Sequence, residues 1–458
     1  MLETGESILW LLVLIGVMIM IHELGHFWAA RYFDVKVEAF SFGFGPRLFG
    51  FRRGETDYRV SLILFGGYVK MAGEMDGVNM EGYANMSAPP AEGAEAPDPR
   101  SLFAKPRWQR LIIAFAGPFM NVVLAVGLLT GLYMVKYERV SDQDLDPVIG
   151  HVMADSPAAK AGIRDGDRIV KLDGKDKPTW KDVGLEEISS AYRPMHVTIE
   201  RAGKRFDTVV TPTLSEALGV GYAGWEERGE MELDEVDPSL PAYKAGLRKG
   251  DVVLTLNGQP MHSNYRFYEL TKNSGGKPLD IVYVRNGEKH EVVVQPEYSR
   301  SDGPARWMIG VRPRPKLTII TTRLAFPEAL SESVRENEEG ATLIVKVLQG
   351  MIERRMSTKN LTGPVGLAQL SGQAAKEGPS AYFSLMSMVS LNLAIFNLLP
   401  IPILDGGTIL MLLVEMVMRR DLSLNVKELV FKVGFVFIMV IMAFVIFNDI
   451  SKIVLPPG

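Results

Sequence analysis

Residues 22–26 read His22-Glu-Leu-Gly-His26 inside an otherwise apolar stretch. On a helix two residues four apart share a face, with about 5–6 Å between their Cβ atoms, so both imidazoles can reach one ion. Glu23 stands beside the first of them, where its carboxylate can take a proton from water at that ion. The chain has no cysteine and only 6 histidines, so a metal has to be held by His, Asp or Glu. Imidazole and carboxylate around four-coordinate zinc suit this set, although spacing alone does not separate zinc from iron or cobalt. The plainer alternative is a structural polar cluster or a helix-end cap. Against it, an ionisable side chain at membrane depth costs about 2.5–3.5 kcal/mol on insertion scales and needs a compensating partner.

A zinc that activates water commonly takes three protein ligands. His151, His196, His262 and His290 all fall in the long polar section far from residue 26 and read as ordinary surface or core histidines. Asp405 is the better third donor. It closes the stretch Asn397-Leu-Leu-Pro-Ile-Pro-Ile-Leu-Asp405, where Pro400 and Pro402 interrupt a helix and leave extended backbone that is tolerable only within protein or beside a cavity. Gly406 and Gly407 then allow close backbone approach next to the carboxylate.

These groups must be carried by apolar elements. Residues 8–33, 111–135, 381–404 and 429–447 are each near the ~20 residues a membrane helix needs. The first is expected to be retained rather than cleaved, since no basic segment precedes it and no small-residue cleavage pattern follows. Arg31, Lys36, Arg47, Arg52 and Arg53 follow the first run, Lys105, Arg107 and Arg110 open the second, and Arg419, Arg420 and Lys427 separate the third from the fourth. Basic residues gather on the cytoplasmic side, so both termini and the section between the second and third runs are expected outside. His26 and Asp405 then fall at similar depth. The formal net charge of −4 removes any electrostatic case for nucleic acid as a partner. Residues 81–100, rich in Ala, Pro, Glu and Gly, are expected to form a mobile loop. Residues 324–356 have apolar groups at helical spacing, fitting a helix on the bilayer or one packed beside the outer section.

The outer section repeats itself. Pro157, Ala158, Lys160, Ala161, Gly162, Gly166, Asp167, Leu172 and Gly174 recur as Pro241, Ala242, Lys244, Ala245, Gly246, Gly250, Asp251, Leu256 and Gly258. Each copy predicts a short helix stopped at glycine, then Gly-Asp opening an apolar strand that ends at an Asp-Gly or Asn-Gly turn. At these residues the section resembles a tandem of PDZ domains, of the circularly permuted kind found in envelope proteases. That resemblance implies binding of peptide ends or extended segments by strand addition, or steric gating; an inert spacer is the alternative.

With the two membrane motifs together, the chain resembles the site-2 protease class of intramembrane zinc metalloproteases, a likeness strengthened by Ala116-Gly-Pro-Phe-Met-Asn121 and Leu361-Thr-Gly-Pro-Val-Gly366. The resemblance implies His22, His26 and Asp405 as ligands of one Zn2+ per chain, Glu23 as the catalytic acid/base and Asn397 as a residue that holds the substrate backbone. Thr408 departs from the histidine common after Asp-Gly-Gly, at a position that is not a ligand. Asn121 fits an interhelical hydrogen bond as well as a direct role. The expected fold is a multi-pass α-helical membrane protein with four transmembrane helices and an inserted pair of α+β PDZ domains. Its layout is a first span at 1–35, a β-hairpin region and loop at 36–105, a second span at 106–138, PDZ domains at 139–218 and 219–315, an amphipathic linker at 316–378, and spans at 379–420 and 421–458. Ser41-Phe-Gly-Phe-Gly45 and residues 58–70 predict a hairpin, either membrane-associated and returning toward the site or on the solvent side. The implied partners are lipid and single-span membrane proteins, such as an anti-sigma factor or a remnant signal peptide, in a bacterial inner membrane with the PDZ pair periplasmic. A metal transporter and an inactive PDZ scaffold with structural zinc are the competing readings.

Overall fold

The computed structural model describes residues 2–73, 98–141, 147–215, 218–299, 305–316, 318–358 and 361–454. Most of the expected mobile loop at 81–100 therefore lies outside the described residues. The chain divides into two compact units, one of Met1–Tyr137, Arg323–Ile344 and Leu361–Leu455, the other formed mainly by Glu138–Thr322 and Val345–Asn360.

The first unit is built from α1 (Leu2–Tyr32), β1 (Val37–Arg53), β2 (Thr56–Met71), α2 (Arg107–Val135), the start of α3 (Phe326–Ile352), α4 (Pro364–Glu377), α5 (Pro379–Leu398), α6 (Asp405–Met418) and α7 (Leu424–Val454). Among the described residues four helices are long and apolar enough to cross a membrane: Gly5–Tyr32, Arg107–Val135, Pro379–Leu398 and Asn425–Ser451. Between such helices lipid leaves little hydrophobic drive, so small residues and polar bonds hold them together. A Cβ at Gly25 would lie 2.2 Å from the Ala116 carbonyl oxygen, so α1 and α2 approach where only glycine fits. Ser387 and Ser390 of α5 donate to the Ala125 and Asn121 carbonyls of α2 at 2.9 and 2.8 Å, and the Tyr382 hydroxyl donates to Trp10 O at 2.7 Å.

The third apolar run is not one helix. It ends at Leu398, passes through a non-helical stretch containing Pro400 and Pro402, and restarts at Asp405 as α6, which at 14 residues is too short to span. The motif at residues 361–366 has its own partner: the buried carboxylate of Asp449 in α7 accepts from the Gly363, Val365 and Gly366 N–H groups at 3.0, 3.1 and 2.9 Å, capping α4 from another helix. The amphipathic helix α3 turns Ala329 and Ser333 inward, and Ser333 donates to the Val126 carbonyl at 2.7 Å, so its first half packs on α2 instead of on lipid.

The hairpin is more folded than a simple pair. Residues 37–42 of β1 pair on one side with residues 67–71 of β2 and on the other with residues 57–60, which in turn pair with residues 49–52. Each strand thus doubles back, making four extended segments whose two edges are residues 67–71 and the second half of β1.

In the second unit the repeat appears as two modules. The first has a sheet in the order Lys175–Asp176, Arg168–Leu172, Met195–Arg201, Lys204–Val210, with helix Trp180–Ser189 started by a Thr179/Asp182 capping box. Ala223 and Trp225, beyond residue 218, complete its core. The second orders Glu288–Val294, Leu279–Arg285, Val252–Leu256, Glu230–Val236 and Val311–Lys316, beside helix Asn264–Lys272. The repeated Gly-Asp has the same duty in both. Asp167 accepts from the Arg164 N–H at 2.8 Å and from Arg201 Nε and Nη2, each at 2.7 Å; Asp251 accepts from the Arg248 N–H at 2.8 Å and from Arg285 at 2.7 and 2.8 Å. Both carboxylates are buried.

Only the carboxylate of each pair is buried, and the partly exposed arginines can turn to solvent when it is removed. Asp251→Ala leaves the Arg248 N–H without its acceptor and is expected to cost the second module about 1–3 kcal/mol in denaturant unfolding. Arg312→Ala, which breaks the exposed pair with Glu235, is expected to cost less than about 1 kcal/mol.

Candidate metal centre

Helical spacing on α1 puts His22 and His26 on the face turned toward α2, and both are buried. Beneath them lies Gly117, where a Cβ would stand 2.3 Å from His26 Nε2 and 2.8 Å from His22 Cε1. Gly117 is therefore the floor of the site, a role sequence reasoning missed although the motif containing it stood out. The helix break delivers the third group. Ile403, a β-branched residue, takes φ +83°, a conformation costing on the order of 1–3 kcal/mol, and two residues later Asp405 opens α6. Gly406 and Gly407 are buried against the carbonyls of Leu399 and Ile401, where a Cβ would come within 2.2 and 2.4 Å.

The three predicted ligands meet. His22 Nε2 and His26 Nε2 are 3.2 Å apart, Asp405 Oδ2 is 3.1 Å from His22 Nε2, and Asp405 Oδ1 is 3.4 Å from His26 Nε2. Tetrahedral ligation at the usual zinc distances separates donor atoms by about 3.3 Å. The chemistry agrees with the spacing. His26 Nδ1 lies 2.8 Å from the Ile113 carbonyl, which can only accept, so Nδ1 carries a proton. In the neutral ring Nε2 then points a lone pair at a carboxylate that also only accepts. A cation at the centre satisfies all three, and the donor set fits zinc. Among the described residues this is the one group of three His, Asp or Glu with ligand-distance geometry. None of His151, His196, His262 and His290 belongs to it.

Glu23 lines the same cavity of about 1540 Å3 as the triad, together with Asn397. The backbone of Val69, in the edge segment of β2, lies beside the Glu23 carboxylate, and a Cβ on Gly67 would lie 3.3 Å from Glu23 Cγ. The sheet edge therefore runs alongside the proposed general base. Residues 66–69 of the hairpin line the cavity, and the involvement of Val69 had no signal in sequence beyond the neighbouring Gly66-Gly67 pair. Phe431 and Phe435 of α7 close another wall.

The model of peptidase family M50 matches residues 10–441. The chain belongs to peptidase family M50. Curated relatives run the same length: a putative zinc metalloprotease of Pasteurella multocida is 31% identical over 98% of this chain and 100% of its own, and the regulator of sigma-E protease RseP of Escherichia coli is 30% identical over the same shares. Among solved structures, the PDZ domain of an SdrC-like protein from Listeria monocytogenes covers 19% of this chain and 87% of its own at 19% identity, with a TM-score of 0.16. As an M50 member the chain is a zinc metalloprotease, and its apolar helices fit the membrane-embedded character of the family.

Gly117→Ala should lower zinc affinity about 10–100-fold, the range for disturbing the support of metal ligands. Gly127→Ala, on the same helix with nothing within 4 Å of the added methyl, should leave it unchanged. Zinc per chain after dialysis against a graded chelator measures both.

Proposed function

We infer that this M50 protease hydrolyses peptide bonds within transmembrane segments of single-span membrane proteins. The observation that carries the reading is the shared cavity: the His22, His26 and Asp405 donors, the Glu23 carboxylate and the open edge of β2 all face it. His22, His26 and Asp405 would hold one zinc per chain, which supplies a Lewis acid that polarises a carbonyl and lowers the pKa of water toward about 7. Glu23 takes the proton from the attacking water and passes it to the departing amine. A substrate helix hides its peptide groups in its own hydrogen bonds, so it has to unwind before attack; residues 67–71 offer it a strand to pair with, and Asn397 a side-chain amide for the exposed backbone.

In this reading four helices span the inner membrane, with the termini and the tandem PDZ modules on the periplasmic face and the centre toward the cytoplasm. The modules act as a size filter, admitting proteins already trimmed outside the membrane. The name of the Escherichia coli relative, a regulator of sigma-E protease, supports an anti-sigma factor as one substrate, and remnant signal peptides share the same trimmed, single-span form.

Glu23→Gln should keep zinc at the parent level and lower cleavage of a model transmembrane substrate about 10^2–10^4-fold. Undiminished cleavage in that variant would remove Glu23 from the mechanism. Fusing a stable folded domain to the periplasmic end of the same substrate should slow cleavage by the parent at least tenfold, and equal rates for fused and trimmed substrates would end the filter reading.

A further inference from the structure

The Asn121 side chain is fully buried in α2, one turn beyond Gly117, with its Nδ2 3.2 Å from His22 Nδ1. Its Oδ1 is buried with no hydrogen-bond partner. The inward nitrogen of His22 is Nε2, which faces His26 Nε2 and Asp405. For Nε2 to present a lone pair to a cation, the neutral ring must carry its proton on Nδ1, and that proton needs an acceptor. An amide offers oxygen and nitrogen in nearly the same shape, so half a turn of the Asn121 amide brings Oδ1 to Nδ1–H. That orientation gives the orphaned oxygen its donor and gives His22 the outer partner that His26 already has in the Ile113 carbonyl.

We propose that Asn121 is a positioning residue for the metal centre, accepting from His22 Nδ1–H and so holding the ring in the tautomer and orientation that turn Nε2 toward the ion. The two outer partners then come from one helix, eight residues apart, Ile113 for His26 and Asn121 for His22, with Gly117 midway between. The antiparallel course of α1 and α2 requires this pairing, since His26 and His22 climb α1 as Ile113 and Asn121 descend α2. Removing the acceptor leaves the His22 ring free to rotate or to take the other tautomer, with its proton on the ligand nitrogen. Asn121 touches neither water nor substrate in this role and acts only through His22.

The proposal rests on the His22, His26 and Asp405 reading, and the test separates the two. Purified full-length chain, Asn121→Leu and Asn121→Asp are stripped of metal and titrated with zinc against a chromophoric chelator, and with cobalt(II) followed by its visible absorption. Leu keeps the size and removes the acceptor, whereas Asp keeps an acceptor toward Nδ1–H. The expected result is a zinc affinity about 10–100-fold weaker for Asn121→Leu, with a changed cobalt spectrum, and affinity within about threefold of the parent for Asn121→Asp. Affinity and spectrum unchanged in Asn121→Leu would overturn the proposal, as would equal losses in both variants, the pattern of a packing role. If Asn121→Leu does not fold, Asn121→Asp decides alone: parent-like affinity and spectrum support the proposal and a tenfold loss overturns it. A parent chain that takes up neither metal would sink the metal centre itself, and the positioning role with it.

Discussion

The structure turns on three acceptor groups brought together in an apolar surrounding: two imidazole nitrogens 3.2 Å apart and a carboxylate with one oxygen 3.1 Å from His22 Nε2 and the other 3.4 Å from His26 Nε2. Left alone, a carboxylate facing imidazole lone pairs is repulsive, and low dielectric magnifies the cost. A divalent cation reverses the sign of the problem, because its two charges balance the carboxylates of Asp405 and Glu23. Features that weaken the chain locally make sense only against this gain. Gly117 and Gly25 give up side chains so that α1 and α2 can close, and Ile403 sits at a strained φ so that Asp405 starts a helix at the depth of His26. A helix break and a tight interhelical contact each cost stability; together they aim three donor groups at one point.

The same requirement for compensation governs the other buried charges of the membrane unit. Glu415 of α6 is 2.7 Å from Lys427 Nζ and 3.7 Å from an Arg110 nitrogen, and it accepts from the Leu422 N–H at 3.0 Å, tying α2 and the start of α7 to α6. At its other end α7 is held by Asp449 on three backbone N–H groups of α4. Between these ties α7 presents Phe431 and Phe435 to the cavity, and a Cβ at Gly434 would sit 2.4 Å from the Pro402 carbonyl oxygen. The proline-broken segment carrying Asp405 therefore packs against α7 on one side and faces His22 and His26 on the other. In the second unit the buried Asp167 and Asp251 are paired by Arg201 and Arg285, whose side chains are partly exposed, so solvent shares in the compensation.

What was legible in the sequence was local. The four-residue spacing of His22 and His26, the two prolines before Asp405 and the repeated Pro-Ala and Gly-Asp signals state their geometry within a few residues, and the elements formed accordingly. Partners chosen across distance were not legible. Nothing near residue 363 announces that Asp449 will cap it, because that bond depends on where α7 ends. Likewise the amphipathic pattern of α3 shows which face is apolar but not that Val126 will accept from Ser333. The hairpin failed in a different way: its alternation marked strands, but glycines let each one double back, so two predicted segments became four. The apolar run through residue 404 concealed α6, since hydropathy does not register a helix that stops and restarts.

The edge segment of β2 runs beside the proposed base, with Gly67 and the Val69 backbone next to Glu23. An edge strand normally offers its outward groups to whatever extended segment arrives, a liability that proteins usually cover. Here Glu23 lies beside that edge, so an added strand would run along a surface whose register is marked by Glu23 itself. A hydrolase acting on unwound helix has to place one carbonyl among many chemically similar ones, and side-chain pockets are of limited use when substrate residues are uniformly apolar. Pairing through backbone supplies that placement without regard to sequence. On the proposed reading, the element that would align the peptide packs against the group that would move the proton, so the two errors that matter, a slipped strand and a displaced base, are coupled through one contact.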